Sequence, residues 1–366
     1  MTSRRCFIAC SAVLLASAGC PSVPGEQPAV APARPPPPLP EQPPPDEARS
    51  TAKFIFHSQI RTNLYHLLLN WAWFDLGEAP FWSPVILERE AGFAELSPGD
   101  RARWQKAVDA VAQRISKRSV LFDEGLIAVR AHMAGALALD AVPAEDRAIA
   151  VAVERALDLY ERTWWPAHRR WNRAWVEALV PTLQQTEVMM TTRLAATYGG
   201  TWPADKLPID VSAYVAPLGA YSTGGRVTIT SRADGYRMPF ALEMVMHEAS
   251  HLGSLEPALR EAIDQAFAAE GRKPPEGLWH DLIFYTSGEI ARIAFAEIRG
   301  AGAPAYRHYG EMTGVYGRGN ARWGSMLPIL DKTWAPFVAS SSSDAGKRMA
   351  ALRAFAKALP EYPSDP

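Results

Sequence analysis

The chain has 366 residues, 48% of them hydrophobic and 12 of them Trp, enough to bury at least one large core. Its formal net charge is −1 and no basic block follows the extreme N-terminus, which excludes a nucleic-acid binder driven by phosphate neutralisation. All three cysteines, Cys6, Cys10 and Cys20, lie near the N-terminus. The rest of the chain can form neither a disulfide nor a thiolate metal site, so any metal there is held by His, Asp or Glu.

Arg4 and Arg5 precede a short apolar stretch, Phe7 to Ala18, that ends in small residues. This is the pattern of an export signal, and it is too short to span a bilayer. Ser17-Ala18-Gly19-Cys20 resembles the cleavage box of bacterial lipoproteins, with Ser17 where that family usually has Leu. The resemblance implies that residues 1–20 are a signal peptide and that Cys20 is acylated. It also implies a cell-envelope location, lipid-anchored to a bacterial membrane and facing the extracytoplasmic side. Ser3-Arg4-Arg5-Cys6-Phe7-Ile8 resembles a twin-arginine signal as well, which implies export in the folded state. Residues 21–47, with proline runs at Pro35 to Pro38 and Pro43 to Pro45, favour extended polyproline II and predict a tether.

From residue 48 onward the pattern predicts one mainly α domain, an α-rich α+β fold. Helical spacing of Leu64, Leu67, Leu68 and Trp71 predicts a first helix over Phe54 to Phe74. Helices follow at Arg101 to Ser116, Leu121 to Leu139 and Ala144 to Trp165. A long one runs from His168 or Trp171 to Tyr198, passes Pro181 and stops at Gly199-Gly200. Leu207 to Val215 and Arg226 to Ser231 carry the strand signal, a small sheet edge before the chain returns to helix near Pro239.

His247-Glu248-Ala249-Ser250-His251 lies in an apolar, helix-compatible stretch from Met238 to Leu252, with Pro239 at its start and Gly253 at its end. On a helix, residues i and i+4 project from one face, so both imidazoles can grip one metal ion. Glu248, one step round, is placed to act as general base on water at the metal. The segment resembles the active helix of the zincin metallopeptidases. That resemblance implies zinc as cofactor and a peptide or protein as substrate. It also implies an edge strand upstream that binds substrate in extended form, a place matched by Arg226 to Ser231. Gly253-Ser254-Leu255-Glu256-Pro257 lacks the third His of the metzincin pattern. The gluzincin pattern, with its third ligand on a later helix, fits better.

Two residues on the helix Leu278 to Ile298 compete for that third position, His280 and Glu289, with Glu256 and Glu261 as further alternatives. Glu289 has the gluzincin place, but Ile293 stands where that family often has Asp. Whichever is not a ligand can orient a ligating imidazole. Tyr306, His308, Tyr309 and Tyr316 follow this helix, and Tyr309 or Tyr316 is a candidate donor to a developing oxyanion or an outer support of the site. His57, Asn63, His66, His168 and Asn172 either line the same cleft or pack helices together, and His132 is structural or exposed. Three functions stay open: a zinc-dependent peptidase of the envelope, a catalytically weak zinc-binding lipoprotein that recognises a partner through the same cleft, or a hydrolase of a non-peptide amide, which the motif would serve equally.

Overall fold

A computed structural model describes residues 49–78, 92–203, 206–215, 219–300, 304–312 and 321–360. Arg4, Arg5, Cys20, the proline-rich stretch and Tyr316 lie outside the described residues. Among the described residues, 66% are helical, in twelve α-helices beside one five-stranded sheet, an α-rich α+β architecture as expected. None of the described helices is long and apolar enough to cross a membrane.

The chain opens with β1 (Arg49–Ser50) antiparallel to β2 (Phe54–His57). This corrects the first helix, which begins only at Ile60. Phe54 and Phe56 are buried and their neighbours are not, the period of two that a strand requires. The long helical pattern after residue 60 had masked four residues of strand. Helices α1 (Ile60–Asp75), α2 (Pro98–Ile115), α3 (Glu124–Met133) and α4 (Arg147–Thr163) follow. They share a core in which Trp71, Trp104 and Trp164 meet edge to face or tilted. Tryptophan here is packing mass.

Helix α5 (Trp165–Tyr198) runs 34 residues through Pro181 and ends where Gly199 takes a left-handed φ of 80°. Next come β3 (Leu207–Ser212), β4 (Ala220–Thr223) and β5 (Arg226–Thr230). The sheet order is β1-β2-β3-β5-β4, with β2, β3 and β5 parallel and β4 antiparallel to β5. A second expectation is corrected here, since β5 is flanked on both sides and β4 is the edge strand. Gly224 and Gly225 both have positive φ (53° and 72°), the conformation of a tight hairpin turn, so the chain folds back and the strand before the turn lies outermost. Ala220–Thr223 had no run long enough to announce itself.

Helix α6 (Phe240–Ser250) carries the His-Glu pair and is buried from Ala241 to Ser250 on every side. It packs between the sheet edge, α5 and α8 (Leu278–Arg299), with α7 (Leu255–Ala269) between the two. The chain closes with α9 (Tyr309–Met312), α10 (Ala321–Thr333), α11 (Ala335–Ser340) and α12 (Ala345–Ala358).

Candidate metal centre

His247 and His251 stand on one face of α6; His251 is the C-cap residue and keeps helical angles (φ −78°, ψ −6°). Beyond it Gly253 (φ 66°) turns the chain into α7. From α8, His280 reaches the same point: one ring nitrogen from each of His247, His251 and His280 lies within 4.8 Å of the others. The Nε2 atoms of His247 and His251 are 3.4 Å apart. Tetrahedral zinc with bonds of 2.0–2.1 Å sets neighbouring nitrogens about 3.3 Å apart, so this pair matches one edge of such a site. Two imidazole nitrogens facing each other at this distance are poorly placed unless a proton or a cation lies between them.

Two of the rings, His247 and His280, are also in the right charge state. Burial drives the His247 pKa well down, helped by the neighbouring His251 and His280. Burial likewise lowers His280 to about 3, with His251 and Arg260 adding to it. Both are neutral at physiological pH, the form that donates a lone pair. His251 and His280 are partly exposed, so solvent reaches the centre from their side. Three imidazoles fit zinc, and by donor type also suit copper, nickel or iron.

Glu256 is not in the cluster; it bonds one of its members. Its Oε2 lies 2.7 Å from His251 Nδ1, and since an ionised carboxylate only accepts, His251 carries its proton on Nδ1 and turns the Nε2 lone pair to the cluster. Its other oxygen pairs with Arg260 at 2.8 Å, and that guanidinium stacks 3.6 Å from the Trp279 ring. Trp279 in turn stands edge-on to His251. Glu256→Ala should therefore weaken zinc binding by about 10–100-fold, the scale for losing an imidazole's outer partner, with Glu256→Gln intermediate. Competition with a calibrated chelator measures this, and an unchanged affinity would leave Glu256 a surface brace.

Glu289, the gluzincin-like candidate, is elsewhere. Its carboxylate is engaged by Arg292 through both oxygens and by His308 Nε2 at 3.3 Å. Burial would raise its pKa, but these partners hold it down to about 2. Glu261 is not among the clustered groups either. One helical turn separates His280 from Phe284, whose ring lies 4.0 Å from that of His247. Glu289 lies beyond this apolar spacer.

Glu248 is buried, with burial raising its pKa against the opposing effects of His251 and Ser222. The Ser222 hydroxyl on β4 lies 2.9 Å from Glu248 Oε2 and 2.8 Å from its backbone carbonyl, tying the acid to the sheet edge. Tyr309 is half-buried against Phe284 and Tyr236. Burial raises the Tyr236 pKa, as do the adjacent Tyr309 and the charge of Glu248. Ser222 and Tyr236 gave no signal in the sequence, because their loop and edge strand have no period linking them to α6.

The remaining candidates pack the fold. Asn172 donates to Asn63 (2.9 Å) and to the Val211 carbonyl (3.2 Å), joining α5, α1 and β3. His66 lies by Tyr221, His168 bonds Tyr160 at 2.7 Å, and His132 bonds the Leu137 carbonyl. His57, half-buried on β2, is outside the cluster too. Compared with family models, curated proteins and solved structures, the chain matches none.

Proposed function

We propose that the protein is a zinc-dependent hydrolase of the bacterial cell envelope, a peptidase of the zincin type. The convergence of His247, His251 and His280 beside Glu248 carries this proposal. A zinc ion held by the three imidazoles would supply Lewis acidity, polarising a carbonyl and acidifying a water molecule. Glu248 takes the proton from the attacking water and returns it to the leaving amine. Ser222 keeps its carboxylate aimed, and Tyr309 or Tyr236 donates a hydrogen bond to the oxyanion. Among the described residues no strand pairs with the outer edge of β4, which leaves a row of backbone groups for an extended peptide.

Metal analysis of the purified chain, then digestion of a broad peptide pool with and without chelator, tests the proposal. Zinc near one equivalent and chelator-sensitive cleavage are expected. Zinc without cleavage would favour the alternative, a partner-recognition module using the same cleft.

Anchoring is proposed from Cys20 and the residues before it. Cys20→Ala should abolish acylation and release the protein from membranes or block its processing, read by fractionation and mass spectrometry. Soluble, unlipidated wild type would refute the anchor.

A further inference from the structure

Glu243 lies one turn before His247 on the same face of α6 and is fully buried. Burial pushes its pKa up to about 7, against opposing effects led by the Tyr306 hydrogen bond. A buried carboxylate is costly unless its oxygens are bonded, and here Oε1 has no hydrogen-bond partner. Both of its hydrogen bonds fall on one oxygen. Oε2 accepts from the Tyr306 hydroxyl at 2.6 Å and from the Tyr309 backbone N–H at 2.9 Å.

The segment 304–312 that provides both donors is also seated by the pairing of His308 with Glu289 and by aromatic contacts. Tyr306 packs on Phe240 and Phe295, and His308 lies edge-on to Tyr285. Gly288 allows this approach, because a Cβ there would come within 2.7 Å of the His308 ring and 3.1 Å of Glu243 Oε1. Next to these anchors Tyr309 stacks on Phe284, which packs on His247.

We propose that Glu243 is a positioning residue, fixing the Tyr309 ring in the wall of the metal centre by binding Tyr306 and the Tyr309 backbone together. A carboxylate suits this task because a single oxygen accepts two donors, so one atom sets both the anchor and the main chain beside it. The consequence for turnover rests on the hydrolase proposal above; the positioning itself does not.

Hydrogen exchange of the full, zinc-loaded chain reads the positioning without substrate. Glu243→Ala should speed exchange at the Tyr309 amide by about tenfold or more, the scale of one charge-assisted hydrogen bond. Zinc affinity should hold. Glu243→Gln keeps a carbonyl acceptor and should restore most of the protection. Tyr306→Phe keeps the ring packing and should speed exchange to a smaller extent, which decides the matter if Glu243→Ala fails to fold. Unchanged Tyr309 exchange in the folded variants overturns the proposal.

Kinetics add a second readout. Glu243→Ala should lower kcat with little change in KM, and combining it with Tyr309→Phe should lose no more than the larger single effect, since both act through one ring. Additive losses overturn it. Should zinc-loaded wild type cleave no peptide, the hydrolase proposal falls, and the exchange result still decides the positioning.

Discussion

Glu248→Gln should leave the protein folded and zinc-loaded while lowering hydrolysis by about a hundredfold or more, the scale of general-base catalysis. Glu248 is not among the clustered imidazoles that would hold a metal, so zinc should not depend on it. Gln is nearly isosteric, and its carbonyl oxygen can still accept from the Ser222 hydroxyl that holds Glu248 in place. What it lacks is a basic oxygen. Burial raises the Glu248 pKa above its ordinary value, which makes it a stronger base once ionised and moves the acid limb of the pH–rate profile upward. Cleavage of a peptide pool by wild type, the variant and a chelated sample checks this. Cleavage that survives both treatments would come from elsewhere, and a variant that loses its zinc would make Glu248 structural.

His247→Ala, His251→Ala and His280→Ala should each weaken zinc binding on the order of a thousandfold, about a third of the roughly 12 kcal/mol of such a site. Glu289→Ala should keep the zinc and instead lose stability. It leaves His308, which is almost wholly buried, without the carboxylate that helps raise its pKa against burial. The cost is about 2 kcal/mol, below the full value for a broken buried pair because Arg292 is partly exposed. The sign with pH follows from Glu289's depressed pKa, about 2 when folded. Its stabilisation is fully present above the ordinary carboxylate value and is lost as pH falls through about 2. Wild type should therefore lose more stability than the variant on acidification. Zinc titration and thermal melts against pH measure both effects. Retained zinc in His280→Ala together with loss in Glu289→Ala would move the third ligand to Glu289.

Local chemistry alone determined much of this protein. Helical period and capping located α6, the i, i+4 rule put His247 and His251 on one face, and the cysteine distribution restricted ligands to nitrogen and oxygen. The choice between His280 and Glu289 was not local. Both sit on α8, and which one meets the metal depends on how α8 crosses α6 and on Phe284 filling the space between. Only packing sets that. Glu256 was legible as a carboxylate near the ligands, but whether it binds metal or orients His251 turns on the bend at Gly253. Ser222 meets Glu248 across a hairpin, and Tyr236 and Glu243 meet Tyr309 from a loop and a helix face. Side chains distant in sequence meet only because burying α6 on all sides draws those elements around it, and periodicity records which face is apolar without naming what will cover it.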